Sequence, residues 1–213
     1  MSQMNYNEII YPKREDTYTP KLCRYLVDRF FTEGNLIDLG CGTKIHMNQF
    51  ELNNIKCVGV DKNLCDLESE SLPIKNNYMD NAFCKSVIEH IRNPENLIQE
   101  AYRVLKSLGM LVIMTPDWKS QMNHFWDDYT HVHPYTQKSL MNLLKIYGFK
   151  GVGCELFYQL PFTWKYPYLK FIPKIISILP DCLKWKDKTM SNGRDRKLIR
   201  FSKEKMLLAW GYK

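Results

Sequence analysis

Three groups of residues could do chemistry by type and spacing. Residues 36–42 read Leu-Ile-Asp-Leu-Gly-Cys-Gly, and nineteen residues beyond Gly42 a second apolar run, Cys57-Val-Gly-Val, closes on Asp61. A buried strand that ends in a glycine turn lets the backbone approach a ligand closely. A carboxylate at the end of the next strand can accept hydrogen bonds from both hydroxyls of a ribose, so the pair describes a nucleoside pocket. The second group is Asp127-Asp128-Tyr129-Thr130-His131-Val132-His133. Histidine titrates where a proton can be taken from a hydroxyl near neutral pH. His131 or His133 is therefore the expected general base, with Asp128 to orient it. The third group, Glu89-His90, sets an acid beside a base. Asp and His also ligate metals, but the chain shows no further clustered ligand, and no metal is expected.

The glycine turn discriminates between nucleoside cofactors. A dinucleotide site wants G-x-G-x-x-G, so that the pyrophosphate rests on a helix N-terminus. Here the series is Gly40, Gly42 and then Ile45, so the third glycine is missing. Asp38 lies two residues before Gly40, where it would repel a pyrophosphate but could serve an amino-acid ammonium. The chemistry favours S-adenosylmethionine over a nicotinamide dinucleotide, and an NAD(P)-dependent oxidoreductase is the weaker rival.

The surrounding pattern predicts the elements that hold these groups. Thr19-Pro20 opens a helix over 21–31, Asn35–Leu39 is a buried strand, Asn48–Leu52 lies in a short helix, and residues 57–60 form the second strand. Four residues between Asp61 and Asp66 are too few for an ordinary crossover helix, so the third strand is expected to be vestigial. Residues 80–85 and 110–114 read as strands, and 95–106 as a helix that Gly109 caps. A helix from Gln137 to Tyr147 ends at Gly148, and 152–157 forms a strand. Strands alternating with helices predict an α/β fold with a doubly wound, mainly parallel sheet, its ligand crevice at the carboxyl ends of the strands. Gly40, Asp61, Lys85-Ser86 and Pro116 all fall on that edge. A single domain is expected: a helical cap over 1–34, a cofactor-binding core over 35–158, an aromatic and basic insertion over 160–200, and an edge strand over 201–213.

The motif series resembles the class I S-adenosylmethionine-dependent methyltransferases of the small-molecule type. Asp38-Leu-Gly-Cys-Gly42 resembles their first motif, and Asp61 their ribose-binding acid. Residues 72–80, Leu-Pro-Ile-Lys-Asn-Asn-Tyr-Met-Asp, resemble L-P-F-x-x-x-x-F-D, and 86–91 resemble the V-L-E-H-I after the fourth strand. Residues 100–109 resemble E-x-x-R-V-L-K-P-G-G, and 131–136 a histidine-bearing stretch before the next helix. The resemblance implies a Rossmann-like, seven-stranded type of sheet. It also implies an S-adenosylmethionine site built from Asp38, Gly40, Cys41, Gly42, Asp61, Lys62, Lys85 and Ser86, with Asp66 and Leu67 toward the adenine. In this family the segment holding Glu89-His90 more often shapes the pocket than performs catalysis. Lys44 departs from the pattern, standing where a small residue or glycine is usual.

Composition narrows the acceptor. The chain has 213 residues, 45% hydrophobic and 25% charged, values of a globular domain. Seven cysteines without a C-x-x-C spacing point to a reducing compartment, and Met1–Asn7 lacks an apolar leader, so a cytoplasmic location is expected. Residues 1–150 carry 17 Lys/Arg against 18 Asp/Glu, whereas 151–213 carry 13 against 5. That basic, aromatic tail suits an anionic surface or a phosphate-bearing substrate. The segment after the fourth strand lacks [Asp/Asn]-Pro-Pro-[Tyr/Phe], which disfavours methylation of a nucleic-acid base. The stretch 127–136 and the tail resemble methyltransferases of surface-polysaccharide pathways. The expected reaction is O-methylation of a small-molecule, glycan or lipid-linked acceptor, with peripheral docking on an anionic membrane. A quinone or lipid-ring methyltransferase and a non-catalytic S-adenosylmethionine-binding protein are the alternatives.

Overall fold

The computed structural model describes residues 17–31, 33–184 and 196–213. Six strands form one sheet: β1 (Asn35–Leu39), β2 (Lys56–Val60), β3 (Met79–Lys85), β4 (Leu105–Pro116), β5 (Lys150–Phe157) and β6 (Met206–Tyr212). Their order is β2-β1-β3-β4-β6-β5. Strands β2, β1, β3 and β4 pair in parallel, and β6 runs antiparallel to both of its neighbours. This is the expected doubly wound, mainly parallel sheet. No strand occurs between β2 and β3 among the described residues, as the short 62–66 segment implies.

Alternation along each strand divides the core into two layers. Ile37 and Leu39 of β1, with Leu111 and Ile113 of β4, face one layer. There they meet α3 (Pro94–Val104) and α4 (Gln137–Ile146) through Leu97, Ile98, Ala101, Leu140 and Leu144. Leu36, Phe83, Val112 and Met114 face the other layer, against α1 (Thr19–Arg29) and α2 (Ile45–Leu52). Side chains two apart on a strand share a face, so Asp38 and Lys85 project toward the α1/α2 side.

Two expectations about boundaries are corrected. The C-terminal strand is interior, not an edge: Leu207, Leu208 and Ala209 are fully buried and β6 is hydrogen-bonded on both sides. The edge is β5, blunted by a register shift between Lys150 and Gly153 and by left-handed Gly151. Gly109 is not a helix cap either. Helix α3 stops at Val104, the left-handed residue is Leu108, and Gly109 lies inside β4. An added Cβ there would sit 2.8 Å from the Lys106 carbonyl oxygen, and that crowding is why the position is glycine. The N-terminal part of the expected cap (1–16) and residues 185–195 of the insertion lie outside the described residues.

The segment that replaces the missing strand and helix is clamped to α3. Glu100 accepts the Leu72 amide at 2.7 Å, and Arg103 donates to Glu100, to the Leu72 carbonyl at 3.0 Å and to the Ile74 carbonyl at 2.9 Å. The Arg103 hydrogen bonds hold the Glu100 carboxyl below the usual range, which places its stabilisation above that range. Replacing Arg103 with Ala should cost about 2 kcal/mol and several degrees of melting temperature. The deficit should shrink as pH falls and Glu100 takes up its proton. Thermal melts at neutral and acidic pH check this, and an unchanged melting temperature at neutral pH would refute it.

Candidate active site at the carboxyl edge of the sheet

The turn after β1 is built for close approach. Gly40 has φ +78°, and a Cβ on it would meet Val87 Cγ2 at 2.3 Å. The amides of Gly40 and Cys41 both donate to the Val60 carbonyl, tying the turn to the end of β2. Gly42 is left-handed with open space around it. Cys41 is buried against Gly59, where a Cβ would lie 2.6 Å from its Sγ, and burial raises its thiol pKa. Lys44, at the start of α2, also takes a left-handed φ of +62°. The backbone there asks for the glycine that the motif usually supplies, and the lysine side chain is exposed.

Asp38 is the unusual residue. It is 2% exposed, and among the described residues its Oδ2 has no hydrogen-bond partner. Burial pushes its carboxyl up to about 7, with Lys85 pulling the other way and Asp61 adding to the rise. A buried, unsatisfied acceptor is costly unless a donor comes to it. An amino-acid ammonium is such a donor, and a pyrophosphate is not. Asp61, half-buried at the end of β2, takes the Lys62 amide at 2.8 Å through Oδ1. Lys62 itself is exposed. The next turn is pinned from within: Asp66 accepts the Glu68 amide and the Ser69 hydroxyl, which lower its pKa. Leu67 is buried in the core with its carbonyl held by Asn96. Lys85 ends β3, and Ser86, left-handed at φ +54°, donates its amide to Met114 of β4.

Beyond β3 and β4 lies a second polar cluster. A short 3-10 turn, Ile88–His90, buries Glu89, whose carboxylate accepts the Thr115 hydroxyl at 2.9 Å and is pushed by burial up to about 7. The Glu89 carbonyl accepts the amides of Val132 and His133, docking the histidine loop onto this turn. His90 Nδ1–H donates to Thr130 Oγ1 at 2.8 Å, and that hydroxyl donates to Asp128 Oδ1 at 2.6 Å. Burial, then the neighbouring His131, lower the pKa of His90. The His90 and His131 rings stand 4.7 Å apart.

The expected orientation of the base is corrected by this geometry. His131 is held by a backbone carbonyl: its Nδ1–H donates to Phe125 at 2.6 Å. Asp128 stands 3.8 Å from its Nε2, beyond hydrogen-bond reach and too far to fix the ring. His133 donates Nδ1–H to the Ile91 carbonyl at 3.0 Å. Each ring therefore keeps the Nε2 lone pair for chemistry. Glu89 and His90, read in the sequence as an adjacent acid and base, belong to the same cluster; what the sequence did not show is that the histidine loop docks onto them.

The methyltransferase-domain family matches residues 13–153. The chain belongs to that family. It is a class I S-adenosylmethionine-dependent methyltransferase. An uncharacterised protein of Methanocaldococcus jannaschii is 27% identical over 166 residues, 68% of this chain and 75% of that one. The fold is shared with an S-adenosylmethionine-dependent methyltransferase of Archaeoglobus fulgidus at 19% identity, covering 98% of this chain and all of the other, with a TM-score of 0.64. It is also shared with a Haemonchus contortus phosphoethanolamine N-methyltransferase at 16% identity and a TM-score of 0.59, covering 90% of this chain and 52% of that one. Its carboxyl edge holds a crowded glycine turn and a buried acid whose Oδ2 has no hydrogen-bond partner among the described residues.

The Asp38 carboxyl makes a signed prediction. Its folded pKa lies above that of an unfolded carboxylate, so it contributes less stability as pH rises toward and past 7. Asp38→Asn should stabilise the ligand-free methyltransferase at pH 8 by roughly 2 kcal/mol, a gain that fades toward pH 4. The same change should weaken S-adenosylhomocysteine binding by about tenfold or more. In the unsubstituted protein that affinity should fall below pH 7, where Asp38 must release a proton to receive the ammonium. Calorimetry at pH 6 and 8 tests both; equal affinity in the variant would exclude the contact.

Proposed function

We propose that this methyltransferase O-methylates a small-molecule, glycan or lipid-linked acceptor that carries negative charge. The observation that supports it best is the pair of histidines on the ligand edge, each holding Nδ1–H on a carbonyl and presenting Nε2 as a base. When bound, S-adenosylmethionine supplies an electrophilic methyl group on a sulfonium. In this reading Asp38 holds its ammonium, Asp61 its ribose, and Gly40, Cys41, Gly42, Lys62, Lys85 and Ser86 shape the surrounding wall. Asp66 and Leu67 flank the adenine. His133 or His131 takes the acceptor's hydroxyl proton, with the Asp128 carboxylate 3.8 Å from His131 Nε2. Burial around this edge excludes water, so alignment supplies much of the rate.

Two features support an anionic acceptor. A cleft of about 350 Å³ beside the end of β4 is rimmed by Lys119, Lys138 and Lys205, with Thr136 and Gln137 in its wall. The insertion after β5 adds a surface on which Tyr168, Phe171, Ile175 and Ile178 are exposed among Lys165, Lys170 and Lys174. One of its aromatics has a different role: Trp164 stacks on Phe157 at 5.0 Å and donates to the Tyr158 carbonyl, anchoring the insertion to the core. Exposed aromatic and aliphatic side chains with interspersed lysines suit the headgroup region of an anionic bilayer. No helix among the described residues is long and apolar enough to cross a membrane.

Replacing His133 or His131 with Ala should lower turnover by roughly 10²- to 10⁴-fold while leaving S-adenosylhomocysteine affinity unchanged. Normal rates from both variants on an accepted substrate would remove the base assignment. The methyltransferase should also cosediment with acidic vesicles and be released by salt. Equal failure with neutral and acidic vesicles would sink the membrane reading.

A further inference from the structure

We propose that Glu89, His90 and His131 form a binding site for one divalent transition-metal ion, of the kind represented by Zn²⁺, Co²⁺ or Mn²⁺. One ligand atom from each of the three lies within 4.8 Å of the other two. The hydrogen bonds around them are those of prepared ligands. His131 commits Nδ1–H to the Phe125 carbonyl, and His90 commits Nδ1–H to Thr130, which passes the bond to Asp128. Metal-bound histidines characteristically give their second nitrogen to a carbonyl or carboxylate in this way, which fixes tautomer and ring direction. The nitrogen left for a cation on each ring is Nε2. Glu89 is 1% exposed, with Thr115 on its Oε2, and one of its carboxylate oxygens lies in the cluster.

The cluster is also hard to explain without an occupant. Two imidazole rings 4.7 Å apart beside a buried carboxylate bring three electron-pair donors toward one point. Two histidines and a carboxylate are a recognised set for borderline divalent ions, and they leave coordination positions open. Asp128, 3.8 Å from His131 Nε2, is close enough to join as a fourth ligand or to hold a bound water. The site sits on the ligand edge, so the open positions suit a hydroxyl or carboxylate oxygen of the acceptor. This second role rests on the proposed O-methyltransferase reading; the metal site itself does not. It makes His131 a ligand and leaves His133 as the base.

The test uses the untagged full-length protein, stripped of metal and dialysed against Co²⁺, Zn²⁺ or Mg²⁺ alone. About one equivalent of Co²⁺ should bind, with visible absorption of a nitrogen–oxygen site, and Zn²⁺ should displace it. His131→Ala and the conservative Glu89→Gln should each weaken binding by about tenfold or more. His124→Ala should not, although His124 contacts Asp127 and Asp181 in a separate cluster. Circular dichroism and S-adenosylhomocysteine calorimetry on the same samples report folding and the cofactor site independently. Unchanged metal affinity in both ligand variants, or no stoichiometric metal in the unsubstituted protein, would overturn the proposal. If cofactor binding fails while metal binding persists, the methyltransferase reading fails and the metal site stands.

Discussion

The arrangement of this molecule turns on an acid that the sheet buries without satisfying. Asp38 alternates with Leu36 on β1 and shares their apolar layer, yet it presents a carboxylate rather than another methyl group. Desolvation of a lone carboxylate opposes folding. A strand position in a parallel sheet, paired on both sides, gives it no freedom to move out to water. The cost is accepted at the point where β1 opens into the glycine turn. Around it on that edge stand the backbone crowding at Gly40, the carboxylate of Asp61 and the charge of Lys85 acting from the neighbouring strand.

Much of this was legible from local sequence because it is local physics. The glycine turn, the second acid and the apolar runs are set by neighbours within a few residues, and the short 62–66 segment excluded a third crossover. What misled was the reading of single residues without their partners. Gly109 looks like a helix cap, but its need for glycine comes from the carbonyls of Lys106 and Asp80 pressing on one point in β4. Residues 206–212 look like an edge strand because they come last. Leu207, Leu208 and Ala209 are nonetheless fully buried, because β6 lies between β4 and β5 in the sheet.

The histidine loop shows the same limit in a different form. Asp128 and His131 are three apart and invite an acid–base pair, but the loop turns so that Phe125 supplies the carbonyl that fixes the ring. Thr130 then takes Asp128 and His90 together across some forty residues of sequence. Such a chain depends on where the turn after β3 meets the loop after β4. The meeting is secured by backbone bonds from Val132 and His133 to Glu89, which carry no side-chain signature.

Asp38 and Glu89 are then two versions of one design. Both are buried carboxyls near the carboxyl end of the sheet, both are pushed by desolvation up to about 7, and both feel the positive charge of Lys85. Lys85 acts on both acids, and at each its pull is smaller than the opposing effect of burial. The deficit is met differently on the two sides. At Asp38 an oxygen with no partner among the described residues stands beside the glycine turn, an arrangement that suits an ammonium. At Glu89 the space is closed by two imidazoles whose outer nitrogens are already tied down, an arrangement that suits a small, doubly charged ion better than a flexible organic cation. The groups around the two acids thus differ in reach and in stiffness: an open glycine turn beside Asp38, two tethered imidazoles beside Glu89.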